Sequence, residues 1–317
     1  MSKLSNDQGR AYEFVCLNEL YNEITKVRNA QIIQNSSFYA AQRAYNTLTS
    51  DEKVLYKQSA LAMIPSIFDC EPRIMEDDND TIELFIQKDD AGKKGDVRDI
   101  IILRNSIKWE IGLSIKHNHF AVKHNRLSPT IDFGKIWYNI PCSDQYWNDI
   151  KPIFDYLENE KTKNTKFSNL PDKDNDVYKP LIQAFINEIK RQYISHKDLP
   201  QKIVEYLLSK FDFYKVISID SKKVTQIQSY NIHGTLNASA KNRKPNIIIP
   251  VAALPKQILS LDFLSDRSNT AVLCMDGGWQ FTFRIHNAET YVIPSLKFDI
   301  QIVGLPVTII TINCIWN

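Results

Sequence analysis

Apolar side chains recur at helical spacing through the first third of the chain and at strand spacing through the last. Tyr12, Val15, Cys16, Leu20 and Ile24 fall on one face of a helix that Ser5 or Asp7 can cap. Further helices are expected over residues 38–48 and over 50–67, the latter with Ser50 as cap. Extended segments rich in Ile, Leu and Phe follow at 81–87, 98–104 and 109–116, and a short polar link at 105–108 makes a hairpin of the last two. A second helical block is expected over 143–157, 175–192 and 199–211, with a polar loop at 164–176. From residue 213 the pattern turns to strands, at 214–219, 258–264, 271–275, 279–286, 298–303 and 308–312. The fold class is therefore α+β, or mixed α/β. A helical region carrying the hairpin (1–212) is expected to be followed by a β-rich region (213–317), as two domains or as one compact unit.

With 43% apolar and 24% charged residues over 317 positions, the composition is that of a soluble globular protein with a substantial core. A net charge of +2 does not announce a nucleic-acid binder. An acidic run, Glu76-Asp77-Asp78-Asn79-Asp80, reads as a solvated face, and basic residues gather at 116–126 and 241–244. Five cysteines without a CxxC spacing argue against a disulfide framework or a zinc site. No signal-peptide stretch and no run near the ~18 apolar residues of a membrane helix is present, so a cytoplasmic protein is expected. The sequence has no GxxxxGK[ST] loop, which argues against ATP-driven chemistry.

The hairpin carries the chemistry. Along 109–116, Trp109, Ile111, Leu113 and Ile115 point one way and Glu110, Gly112, Ser114 and Lys116 the other. An inward lysine needs a partner. With an even-numbered loop Asp99 comes opposite Ser114 or Gly112, on the face of Lys116; Asp96 joins that face only through an odd loop or a bulge. A carboxylate and an amine on adjacent strands suit metal-assisted phosphodiester hydrolysis. The carboxylate holds the cation, and the amine orients or deprotonates the attacking water. A second acidic ligand is normally wanted, and position 114 is serine. Glu110 lies about 13 Å along the strand from Ser114; Glu13 on the first helix is the better candidate. The metal set is thus Asp99 and Glu13, with Asp96 in reserve. The alternative is an ordinary surface ion pair.

Next to that strand, Asn118, His119, Lys123, His124, Arg126 and Ser128 are candidates for phosphate contacts on DNA. His117 and His119 form an H-x-H pair, weak as a metal site without an acidic cluster. Further on, Lys241 and Arg243 lie in a basic loop, while Gln280, Arg284 and His286 share a strand face with Thr282, opposite Trp279, Phe281, Phe283 and Ile285. Arginine and glutamine on a strand can enter a major groove. Each segment also reads as ordinary exposed surface. Trp137, Tyr146 and Trp147 read as core.

Asp99, Ser114 and Lys116 resemble the PD-(D/E)XK nuclease motif, with serine in place of the acid before the lysine. Longer stretches, residues 4–13, 95–101, 109–128 and 276–288, resemble the HaeIII family of type II restriction endonucleases, above all Trp-Glu-Ile-Gly-Leu-Ser-Ile-Lys-His-Asn-His at 109–119. The resemblance implies a PD-(D/E)XK-like core sheet flanked by helices, with a β-rich region reading DNA. It implies Mg²⁺-dependent cleavage of double-stranded DNA at GGCC, blunt between G and C; a palindrome can be cut by a homodimer or by a monomer acting twice, and the sequence leaves both open. The serine at 114 leaves the second metal ligand open. The rivals are a repair or modification-dependent nuclease of the same fold and a non-catalytic DNA-binding module.

Overall fold

The computed structural model describes residues 3–76, 78–88, 95–119, 121–266 and 268–316, with side chains at 3–6 and 121–124 outside that description. Tyr12, Cys16, Leu20 and Ile24 are fully buried on the inner face of α1 (Lys3–Ile24), which starts ahead of Asp7 rather than being capped there. Helix α2 (Ser36–Asn46) begins at Asn35, whose side chain accepts from the Phe38 amide at 2.9 Å. Helix α3 (Ser50–Cys70) is capped by Thr49 rather than Ser50. The Glu52 carboxylate accepts from the Thr49 amide at 2.8 Å while Thr49 Oγ1 accepts from the Glu52 amide, so two end donors are satisfied reciprocally.

The chain forms two compact units, and each is assembled from separate stretches: residues 1–120, 209–253 and 307–317, and residues 121–208 and 254–306. Both draw on chain from either side of residue 212, so the units are not consecutive halves.

The first unit is built on a mixed sheet. Its strands are β1 (Ala30–Ile32), β2 (Ile82–Ile86), β3 (Ile100–Arg104), β4 (Trp109–His117), β6 (Phe213–Ile219), β7 (Val224–Tyr230) and β12 (Thr311–Ile315), in the order β1-β2-β3-β4-β6-β7-β12. β1 runs parallel to β2 and β4 parallel to β6; the other neighbours are antiparallel. Trp109, Ile111, Leu113, Ile115, Tyr214, Val216 and Ile227 form the sheet's side of a core completed by α1 and α3. Strand β7 was not expected from sequence, where residues 224–230 alternate polar and apolar only weakly. The last strand lies three residues beyond its expected start.

The acidic run is not a solvated face. Arg104, fully buried at the end of β3, donates to Glu76 at 3.0 Å, Asp78 at 2.9 Å and Asp80 at 3.0 Å, and Arg28 joins Asp80. Burial raises the Asp80 carboxyl, but the bonds from Arg104 and Ser106 and the charge of Arg28 outweigh it and hold it at about 2. Asp77 lies outside the described residues.

Between β7 and the second unit, residues 231–253 form no helix or strand yet are tightly tied. Asp212 accepts from the amides of Ile232, His233 and Thr235, and Glu71 accepts from the Asn237 amide at 2.6 Å and from Tyr214 Oη at 2.6 Å. Glu71 is fully buried and its other oxygen has no partner among the described residues. Burial pushes its carboxyl up to about 7 despite the bonds from Tyr214 and Asn237 and the nearby Arg73; Cys70 adjoins it. Because the folded pKa exceeds the ordinary 4.5, this group favours the fold below about pH 4.5, and that contribution is lost as pH rises through about 7. The loss is about 3 kcal/mol. Glu71→Gln should therefore melt higher than the wild type at pH 8 and alike at pH 4.5. Melting curves across that range check this, and parallel pH profiles for the two proteins would refute it.

The second unit carries an antiparallel sheet, in the order β5 (Ala121–Leu127), β11 (Leu296–Gly304), β10 (Gln280–His286), β9 (Thr270–Met275), β8 (Ile258–Phe263). Its helices are α4 (Phe133–Tyr138), α5 (Asp144–Thr162), α6 (Lys179–Ser195) and α7 (Leu199–Leu208). Trp137, Phe185, Phe283 and Phe298 meet with ring centroids 5.0–6.1 Å apart. Trp137 and Tyr146 are core and Trp147 is half-buried. No helix among the described residues is long and apolar enough to cross a membrane.

Candidate active site

The four-residue turn between β3 and β4 sets the register. Arg104 pairs with Trp109 across it, and Lys108 turns the chain at φ 50°. Counting back, Ile100 pairs with Leu113, and the Asp99 amide donates to the Leu113 carbonyl at 2.8 Å. Asp99 therefore sits level with Ser114, on the face opposite the helical core. Its Oδ2 accepts from Lys116 Nζ at 2.9 Å, from the Ile115 amide at 2.6 Å and from Ser114 Oγ at 3.3 Å. Oδ1 takes no hydrogen bond among the described residues, and with the side chain 24% exposed a cation can reach it.

Burial alone would lower the Lys116 pKa, but the Asp99 carboxylate beside it, with Glu13 adding, raises it above the ordinary value. At neutral pH Lys116 is thus an ammonium. It can orient water and neutralise phosphate charge, but has no lone pair for a proton. Glu13, on α1, lies close enough for its charge to act on the Lys116 amine. Among the described residues no three His, Cys, Asp or Glu side chains gather as a metal cluster. Such a site fits a hard cation that takes one or two carboxylates and completes its shell from phosphate and water.

On the opposite face, His117 fastens the end of β4. Its Nε2 meets Asp220 at 2.8 Å and its Nδ1 meets Tyr56 Oη at 3.3 Å. Asn118, at φ 51°, exchanges bonds with Asp220 in both directions at 3.0 Å. Burial raises the Asp220 carboxyl, but bonds from His117, Ser218 and Asn118 outweigh it and hold it at about 2. His117 and Asn118 are thus committed to the strand end. They fix where Lys116 points.

Asp96 does not join Asp99. Both its oxygens bind the buried guanidinium of Arg98, at 2.9 and 2.8 Å, and Glu110 binds the same group at 2.8 Å. The Arg98 side chain lies across Gly112, where a Cβ would come within 2.0 Å of it, and stacks on Phe211 at 4.0 Å. Only glycine at 112 leaves room for this bridge beside the site.

The remaining candidates fall in three groups. His119 is half-buried, and the side chains of Lys123 and His124 lie outside the described residues. The stretch after β4, where no strand was expected, is strand β5; Arg126 is exposed on it and Ser128 is buried, bonded to Thr130 at 3.3 Å. Lys241 is exposed but bound to Asp78 at 2.7 Å, and Arg243 lies 3.9 Å from Asp69. On β10 the alternation holds: Phe281, Phe283 and Ile285 are buried, and Gln280 and Arg284 are exposed beside half-buried Thr282 and His286. In register, His286 pairs with Lys297 and Lys297 with Arg126, a row of basic residues across three strands.

Sequence reading missed Lys297, which sits in an ordinary alternating strand, and Lys215, which did leave a signal. Lys215 is the one charged residue in the otherwise apolar or small run of β6, and it pairs with Ser114. Burial, with Lys116 alongside, pushes its amine down to about 7.

Comparison with known proteins gives a consistent result. A model of the HaeIII restriction endonuclease family matches residues 9–306. The type II restriction enzyme HaeIII of Haemophilus aegyptius is 51% identical over 318 residues, covering 100% of each chain. No solved structure matches.

Proposed function

From the premise that the chain belongs to the HaeIII restriction endonuclease family, and is a type II site-specific deoxyribonuclease, we propose that Asp99 and Lys116 form its cleavage centre, cutting double-stranded DNA at GGCC. The observation that carries this reading is the convergence of Asp99 Oδ2 and Lys116 Nζ at 2.9 Å, on the sheet face turned away from the core. Asp99, with Glu13, would hold a divalent cation, for which we propose Mg²⁺. When bound, that ion polarises the phosphate and lowers the pKa of its water. Everything else falls to the chain. Lys116, kept charged by Asp99, orients the attacking water and stabilises negative charge growing on the phosphoryl oxygens. The Ile115 amide and Ser114 hydroxyl fix the Asp99 carboxylate, leaving Oδ1 for the cation. The pairing of His117 and Asn118 with Asp220 prevents the strand end from swinging.

For DNA contact we propose the face of β10 and its neighbours. Gln280, Arg284 and His286, with Lys297 and Arg126 in register, offer cations and amides to phosphates and base edges. His119, Lys123 and His124 belong to the same proposal, as do Lys241 and Arg243, whose bonds to acidic residues a phosphate can replace.

The test is direct. Purified protein, plasmid of known sequence and Mg²⁺ should yield fragments with blunt ends at every GGCC and at no other site, and none with chelator present. Cuts at another sequence would overturn the specificity, and intact plasmid the activity.

A further inference from the structure

Lys215 stands in the middle of β6, paired with Ser114 on the parallel strand β4. Parallel partners share a face, so the Lys215 side chain leaves the sheet on the side of Asp99 and Lys116, with backbones about 4.8 Å apart. It is 4% exposed. Buried lysines are rare because the charge must be taken from water. The residues level with it are Ser114 on one side and Gln228 on the other. Gln228 is itself held, accepting from Tyr230 Oη at 3.0 Å and donating to Gln226 at 3.0 Å, so this part of the face is fixed.

Two departures therefore sit side by side. Position 114, where a second carboxylate would help gather cations, is a serine, and the adjoining position on the next strand is an amine. Together they shift the local charge toward positive without a second ion. We infer that Lys215 is a second cationic group of the cleavage centre, stabilising the negative charge that builds on the scissile phosphate where a two-ion site would use a metal at position 114. This rests on Asp99 and Lys116 being that centre. Arrival of a phosphate favours the ammonium form of a neighbouring amine, so substrate itself keeps this cation charged.

Lys215→Met tests the inference, since methionine fills the same buried space without charge. Single-turnover cleavage of a GGCC duplex should fall about a hundredfold. Mn²⁺ binding to the enzyme at pH 6, where the Lys215 amine is an ammonium, read by electron paramagnetic resonance, should tighten severalfold, because a repelling charge is gone. A merely structural lysine would leave metal binding unchanged or weaken it. Cleavage within threefold of the wild type, or Mn²⁺ binding that is unchanged or weaker, overturns the inference. Lys215→Gln is read in the same way should the methionine variant fail to fold. Asp99→Asn, measured alongside, separates the two claims. If it cuts normally, the placement of the centre fails; if it is inactive while Lys215→Met cuts normally, only the role of Lys215 fails.

Discussion

Asp99→Asn is expected to slow single-turnover DNA cleavage at least about a thousandfold, equivalent to roughly 4 kcal/mol of transition-state stabilisation. The amide keeps the shape of the carboxylate and can still accept from the Ile115 amide, so the fold should survive. What disappears is the anionic oxygen left for a cation, together with the charge that keeps Lys116 protonated. Lys116→Met should cost about 10²- to 10⁴-fold. The two variants should move metal-free DNA binding in opposite directions. Removing Asp99's negative charge beside the phosphate tightens binding, and removing Lys116's positive charge loosens it. The double variant should be little worse than the weaker single one, because the pair acts as a unit. Cleavage and gel-shift assays on one duplex suffice, and near-normal cutting by Asp99→Asn would remove the site.

Arg104→Met should destabilise the protein by about 3–5 kcal/mol, measured by urea unfolding. The fully buried guanidinium holds Glu76, Asp78 and Asp80 together, and each would be left facing the others without it. By contrast Lys241→Ala, which removes an exposed partner of Asp78, should change stability by less than about 1 kcal/mol. A small loss at Arg104 would mean that water can replace it. Since Arg104 closes the turn that sets the register of β3 and β4, part of its cost should reach the site as lost cleavage.

The hairpin was legible in the sequence because period-two alternation and an even turn leave one register that buries Trp109, Ile111, Leu113 and Ile115 together. The same alternation on β10 separated its buried aromatics from its exposed face. Other features depend on partners far along the chain. Nothing local marks the acidic run as the lining of an arginine site, since Arg28 and Arg104 lie well away from it in sequence. β5 was not legible as a strand because its residues gain strand pairing only from β11, some 170 positions later. Asp96 and Asp99 are alike in sequence. They are separated by Arg98, whose path over Gly112 claims the first and leaves the second to pair with Lys116.

The parallel pairing of β4 with β6 also has a bearing on timing. Residues 118–212 must be translated after His117 before the first residue of β6 exists, which at about 5–20 residues per second is a delay of roughly 5–20 s. Throughout that interval the nascent chain lacks the strand that pairs with β4 in the finished sheet. Closing so long an excursion is slow compared with forming the hairpin itself. The sheet around the hairpin is therefore complete only once β6 has been made and has paired with β4.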